Sequence, residues 1–365
     1  MYFIGLMSGT SADGVDASLL KFEHNEFSCV DNIGIDFSPE LRNQILALYT
    51  SSNDEIEQLG SVASQLADVY AQACLALLTK AKLTPEQIQA IGCHGQTIRH
   101  RPDNELPFTI QIADYAKLAE LTQIDVIGDF RTADIAAGGQ GAPLVPAFHK
   151  SLFIDQTADL SVINIGGIAN ISFLPAQANR AILGFDTGPG NALMDAWISL
   201  KLGKNFDKNG QWAKQGQVIP QLLNQLLAHP YFSKAAPKST GREIFNLDWL
   251  TPFLTNEMKA KDIQTSLAHL TCQTICQQVK KLQTSGRVLI CGGGAFNLFL
   301  LELIQTELGQ NFQVFSTEKL GIDPNWIESQ CFAWLAYRFT QRLPGNLPSA
   351  TGATKAKVLG CLYPA

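Results

Sequence analysis

Residues 2–22, YFIGLMSGTSADGVDASLLKF, decide the fold class. YFIGLM (2–7) is a continuous apolar run of strand length, SGTSADG (8–14) is a cluster of turn formers, and VDASLLKF (15–22) alternates in part. The segment therefore reads as strand, tight turn, strand. The same layout returns at LSVINI (160–165), GGIAN (166–170) and ISFL (171–174), and AILGFD (181–186) adds a strand that ends at an acid. No close sequence repeat joins the two regions, but each begins with a hairpin bent at a glycine-rich turn.

Between them, DEIEQLGSVASQLADVYAQACLALLTKA (54–81) opens with acids and carries apolar groups at helical spacing, which predicts a long amphipathic helix. Strands are expected at 90–94, 108–112 and 124–130, with a helix near 113–121. Later helices are expected at 190–202, 217–228 and 265–284. RVLICGGGAFN (287–297) reads as a strand that breaks on three glycines before a helix. A last helix near 328–341, a Pro/Gly/Ser loop over 345–357 and a closing strand in VLGCLY (358–363) complete the chain.

At 365 residues the chain exceeds the size at which a single hydrophobic core keeps growing, so two domains are expected. With 46% apolar and 16% charged residues it has the composition of a globular enzyme. No stretch is expected to supply the roughly 20 apolar residues of a bilayer span, and the N-terminus lacks the basic region of a signal peptide. The expectation is a cytoplasmic protein without membrane contact. A net charge of −6 argues against general nucleic-acid binding, which needs a basic footprint. The eight cysteines are scattered, with no zinc-ligand spacing, and Cys272 and Cys276 are four apart on a predicted helix, where packing on one face explains them.

Four turns follow apolar strands, at 8–14, 166–170, 187–190 and 292–294. Glycine there lets backbone N–H groups approach a ligand closely, and phosphate is the natural guest. Each turn alone is as well explained by hairpin geometry; four at strand ends point to a nucleotide site. The chain has no G-x-x-x-x-G-K-[ST], which excludes a P-loop. CGGGAFN has Asn297 where a dinucleotide fingerprint wants its last glycine, and no later βαβ unit supplies the expected acid. What remains is a bilobal site gripped by two hairpins. In GFDTGPGN (184–191), Asp186 either holds the turn or takes a proton from something bound.

The set GLMSGTSADGVDASL (5–19), GCHGQTIRHRP (92–102), TIQIAD (109–114), DFRTADIAAGGQGAPLVPAFH (129–149), NIGGIANIS (164–172), GFDTGPGNALMD (184–195), CGGGAFN (291–297) and GNLPSATGA (345–353) resembles the anhydro-N-acetylmuramic acid kinases. These belong to the actin, sugar-kinase and heat-shock chaperone ATPase superfamily. The resemblance implies an α/β fold of two RNase H-like lobes, with mixed sheets flanked by helices, an actin-like ATPase fold and ATP in the interlobe cleft. Lobe limits are expected at 1–130 plus 346–365 and at 131–345, with the closing strand returning to the first lobe. It further implies ATP and Mg²⁺ as cofactors, 1,6-anhydro-N-acetylmuramic acid as substrate, and a homodimer. The reaction implied is hydrolytic opening of the anhydro ring with phosphorylation of O6, a step of peptidoglycan amino-sugar recycling.

Residue by residue, the resemblance makes Asp186 the general base that activates water at C1. The phosphate cradle is Ser8, Gly9, Thr10, Ser11, Ala12, Asp13, Gly14, Val15 and Asp16, with Asp13 orienting Mg²⁺ directly or through water. Asn164, Gly166, Gly167 and Asn170 form the second phosphate hairpin, and Gly292, Gly293, Gly294 and Asn297 the adenosine side. Arg131 is expected to clamp the lactyl carboxylate, since a guanidinium can hold a carboxylate by two parallel bonds. His94, Gln96 and Thr97 are expected near sugar hydroxyls, and Glu328 as a second carboxylate at the head of the last long helix. Two other readings compete: a filament or chaperone ATPase on the same fold, and an ATP-independent hydrolase acting through Asp186 and Glu328.

Overall fold

The computed structural model describes residues 1–24, 26–153, 157–236, 238–242 and 244–365. They fall into two compact units, 1–148 with 326–365, and 149–325. The limits expected from sequence, 130/131 and 345/346, leave the segments 131–148 and 326–345 on the other side.

In the first unit the strands are β1 (Tyr2–Met7), β2 (Gly14–Glu23), β3 (Glu26–Asp36), β4 (Ile88–Cys93), β5 (Gln96–Arg101), β6 (Phe108–Ile112), β7 (Val126–Gly128) and β13 (Cys361–Tyr363). Six of them form one sheet in the order β13-β7-β4-β1-β2-β3, while β5 and β6 pair separately. β1, β2 and β3 are an antiparallel meander, and β4 and β7 add in parallel on the other side of β1. The closing strand does return to this sheet, antiparallel to β7.

The second unit holds β8 (Leu160–Ile165), β9 (Ile168–Leu174), β10 (Leu183–Pro189), β11 (Gly286–Cys291) and β12 (Phe312–Ser316), in the order β10-β9-β8-β11-β12. Here too three antiparallel strands are followed by two parallel ones. The repeated layout read from the hairpins is thus a repeated mixed-sheet topology. Each unit has its own apolar core, one around Ile4, Leu19, Tyr70 and Ile91, the other around Ile163, Ile171, Trp197 and Ile275.

The helix Glu55–Ala81 is long and apolar enough, by length and composition alone, to cross a bilayer. Its apolar side chains have another use: Val62, Leu66, Tyr70, Cys74 and Leu77 are buried at helical spacing in the first unit's core.

The last long helix, Ile327–Thr340, packs on β1 and β4 of the first unit. Two glycines make the seat. A Cβ at Gly5 would overlap the Ser329 carbonyl and the Ala333 backbone, and one at Gly92 the Phe332 carbonyl. Backbone cannot yield as a flexible side chain can, so Gly5→Ala is expected to cost about 1–3 kcal/mol. Urea unfolding checks this; an unchanged midpoint would contradict the seat.

Candidate functional site

In the first unit, the turn after β1 is drawn tight by an Ala12 N–H bond to the Gly9 carbonyl (3.1 Å), with Ala12 left-handed at φ 51°. Ala12 and Val15 are buried. Ser8 is buried beneath, its hydroxyl bonded to Tyr70 Oη (2.7 Å) and to the Gly95 carbonyl (3.2 Å). The Ser11 hydroxyl donates to Asp13 Oδ1 (2.6 Å) and fixes that carboxylate. Thr10 offers its carbonyl to Tyr49 Oη (3.0 Å).

Asp16, on β2, has its carboxyl pushed up to about 7, first by burial and then by Glu328, Asp13 and Asp36. An acid raised above its unfolded value binds its proton more tightly in the folded state. Its contribution is therefore present below the unfolded value near 3.8 and lost as pH rises through about 7. Asp16→Asn is expected to flatten the pH 5–8 stability slope of the ligand-free protein and to raise stability at pH 8. The gain is about 1–3 kcal/mol after allowance for solvent screening. Melting curves across that range test it, and parallel slopes for both proteins would reject it.

Gln96 is fully buried, and its amide holds the Gly9 carbonyl (3.0 Å) and Tyr49 Oη (3.0 Å), which places it under the turn. Thr97 Oγ1 accepts from Gln111 Nε2 (3.2 Å) on β6. His94, at the end of β4, receives Arg131 Nε (3.0 Å) on its Nε2, and Arg131 Nη1 reaches the Gly141 carbonyl (2.8 Å). An Nε2 that accepts leaves the proton on Nδ1. Burial and the Arg131 charge hold His94 well below the ordinary histidine range, so it is neutral. Glu328, in the first turn of Ile327–Thr340, is raised by burial and lowered by Arg131.

In the second unit the strand registers place Asn164 of β8 opposite Asn170 of β9, and Asn170 opposite Asp186 of β10. Directly opposed residues share a sheet face, so two amides and a carboxylate form one row. β10 does not end at Asp186 as expected but runs on to Pro189, so 187–190 is not a free turn. A bulge between Asp186 and Gly188 re-aims the strand there. Gly188 has φ +154°, and a Cβ on it would meet the Phe232 ring at 2.8 Å. Asp186 caps no helix: Asn191 stands at the N-cap of Ala192–Leu202, and Asp186 Oδ2 accepts from the Thr240 N–H (3.0 Å).

That partner lies in a segment the sequence reading missed. The Asp186 N–H donates to the Lys238 carbonyl (3.1 Å), and Tyr231 Oη donates to the Asp186 carbonyl (2.7 Å). Lys238 sits over the Tyr231 ring at 4.7 Å, its amine lowered to about 8 by burial first and then by Lys281. Arg242 lies against Gly167, where a Cβ would be 2.7 Å from Nη2. Lys238 to Arg242 thus brings two cations to the Asp186 row and the Gly166–Gly167 hairpin. The only signal in the sequence is two cations flanking Ser, Thr and Gly.

The Gly166–Gly167 turn is closed by backbone bonds from Gly190 and Asn191, to the Gly167 (2.9 Å) and Gly166 (2.8 Å) carbonyls. Gly292 has φ +73°, and a Cβ would overlap the Asn164 amide oxygen. Asn297 Oδ1 accepts from Leu300 N (3.0 Å) and caps the helix Leu298–Leu308. Gly293 and Asn297, with Asn191, Met194, Asp195, Phe206, Asp207 and Phe296, line a pocket of about 470 Å³ within the second unit.

Among the described residues no three His, Cys, Asp or Glu side chains converge to hold a metal by themselves. Burial is the main cause of the Asp16 shift, but the acids that add to it, Asp13, Asp36 and Glu328, make a local group of carboxyls that suits a hard cation completed by water and phosphate oxygens.

The family model for anhydro-N-acetylmuramic acid kinase matches residues 1–365. The chain is 47% identical over 366 residues to the anhydro-N-acetylmuramic acid kinase of Shewanella pealeana, covering 100% of this chain and 99% of that one. With that of Nitrosomonas europaea it shares 47% over 367 residues, covering 100% of each. Among solved structures, component A of the Acidaminococcus fermentans (R)-2-hydroxyglutaryl-CoA dehydratase is similar at TM-score 0.49 and 11% identity, over 93% of this chain and 98% of that one.

Proposed function

The chain belongs to the anhydro-N-acetylmuramic acid kinase family, and from that premise we propose how its own residues divide the work of that kinase. The enzyme opens the 1,6-anhydro bridge of anhydro-N-acetylmuramic acid and phosphorylates O6 at the expense of ATP. Water adds to C1, the C1–O6 bond breaks, and O6 takes the γ-phosphoryl group as ADP leaves. The bridging ether oxygen is a poor nucleophile until that bond loosens.

Asp186 is the general base that takes the proton of this water. The observation that carries the assignment is its setting: a carboxylate in a polar row with Asn164 and Asn170, with one oxygen held by the Thr240 N–H. A base so placed typically contributes ~10²–10⁴-fold. The turn Ser8–Gly14 and the hairpin Gly166–Gly167 offer backbone N–H groups to phosphates, and Arg242 and Lys238 offer charge. Phosphoryl transfer relies on such positioning and neutralisation. Mg²⁺ would be held by Asp13 and Asp16, partly through water, and would neutralise charge on the transferred group. Arg131 takes the lactyl carboxylate. A step that consumes ATP belongs in the cytoplasm, where ATP is made.

The test is to mix the protein with Mg-ATP and either anhydro-N-acetylmuramic acid or glucose and to follow ADP and sugar 6-phosphate. Equal amounts of ADP and N-acetylmuramic acid 6-phosphate are expected from the anhydro sugar. ADP without phosphosugar, or phosphosugar from glucose alone, would reject the proposal.

A further inference from the structure

The pocket beside Gly293 and Asn297 also holds a carboxylate, that of Asp195. Asp195 lies one helical turn after Asn191, its N–H bonded to the Asn191 carbonyl (2.8 Å). Asn191 in turn closes the Gly166–Gly167 hairpin through its backbone and sends its side-chain amide to the Ile165 carbonyl (3.1 Å). Two further acceptors of the wall, which Lys208 and Asn209 also line, are engaged by the fold. Asp207 accepts from Trp212 N (2.9 Å) and Ala213 N (2.8 Å), and Asn297 accepts from Leu300 N. Among the described residues none donates such a bond to the Asp195 carboxylate, yet it is half-buried on the pocket wall. Burial raises it to about 7, with Arg242 opposing and Asp207 adding to the shift.

Phe206 and Phe296 line the same cavity and are 61% and 44% exposed. Two open rings beside an apolar cavity of this size suit a planar base, since aromatic stacking tolerates any π-face. An ionised carboxylate only accepts hydrogen bonds and so calls for donors. One helical turn, about 5.4 Å, separates Asp195 from the residue that closes the phosphate hairpin. That step matches the reach from a nucleotide's α-phosphate to its ribose hydroxyls.

We propose that Asp195 accepts the ribose 2′- and 3′-hydroxyls of the nucleotide, so that it selects ribonucleotides, while Phe206 and Phe296 hold the base without reading the sugar. This rests on the ATP-dependent reading and adds a specificity residue to it. A hydrogen bond to a charged group is worth roughly tenfold or more in affinity.

Calorimetric binding of ADP, 2′-deoxy-ADP and 3′-deoxy-ADP tests it on the unmodified protein, Asp195→Asn, Asp195→Ala and Phe206→Ala, each first checked by its melting curve. The unmodified protein is expected to bind ADP about tenfold more tightly than at least one deoxy form. In both Asp195 variants ADP should weaken by that factor and the deoxy form by less than twofold, so that the preference disappears. Phe206→Ala should weaken all three nucleotides together and keep the preference. If ADP binds but the unmodified protein makes no distinction, or the Asp195 variants keep it, Asp195 does not read the ribose and the kinase reading stands. If no nucleotide binds to the unmodified protein, both fall.

Discussion

Asp186→Asn is expected to lower turnover of the anhydro sugar by ~10²–10⁴-fold while ADP affinity stays within twofold and the melting temperature is unchanged. The substitution is almost isosteric, and the amide oxygen of Asn can still accept from the Thr240 N–H that Asp186 Oδ2 now engages at 3.0 Å. The two backbone bonds at this position, to the Lys238 carbonyl and from Tyr231 Oη, do not involve the side chain. What is lost is the ability to take a proton. If the carboxylate merely fixed the Lys238–Arg242 segment, Asn would preserve that role and turnover would survive. Single-turnover measurements with saturating ATP separate the cases, and a rate within tenfold of the unmodified enzyme would remove Asp186 from the chemistry. Lys238→Met is the natural companion, because a cation beside the row acts on developing charge rather than on the proton.

The parts of this arrangement that were legible in the sequence are those where local pattern and tertiary packing agree. The hairpin β1–β2 follows from an apolar run, a turn cluster and partial alternation, and the helix Glu55–Ala81 from its spacing. β3, which the sequence reading passed over, carries mixed polar residues and lies mostly open to solvent; its pairing with β2, not its own pattern, makes it a strand. β10 passes through residues that favour turns for the same reason: β9 offers partners beyond Asp186, and Gly188 absorbs the bulge. The helix Ile327–Thr340 joins the first unit because Gly5 and Gly92 carry no side chain, a condition visible only once the strands and helix are face to face. In the site, glycine-rich strand ends mark the turns proposed to hold phosphate. The Lys238–Arg242 segment has no strand behind it, and its partnership with Asp186 spans some fifty residues of chain.

The second large effect is expected at Arg131. In the proposed reading its guanidinium serves both the fold and a ligand: Nε and Nη2 face His94 Nε2, Nη1 reaches the Gly141 carbonyl, and the Nη1–Nη2 edge would take the carboxylate. Arg131→Met keeps the bulk and removes the charge. Glu328 then loses the cation that lowers it, so its carboxyl rises further. The melting temperature should fall as well, because the substitution removes the bonds of Arg131 to His94 Nε2 and to the Gly141 carbonyl. Stability loss alone would reduce activity on every substrate alike, so the decisive reading is a ratio. 1,6-Anhydro-N-acetylglucosamine differs from the muramic sugar only in lacking the lactyl group. The unmodified enzyme is expected to favour the muramic sugar strongly in kcat/KM, and Arg131→Met to reduce that preference by about tenfold or more, as loss of a charge-assisted bond would. Should the variant lose stability but keep the full preference, Arg131 is a strut between His94 and Gly141, and the lactyl carboxylate is held by another cation.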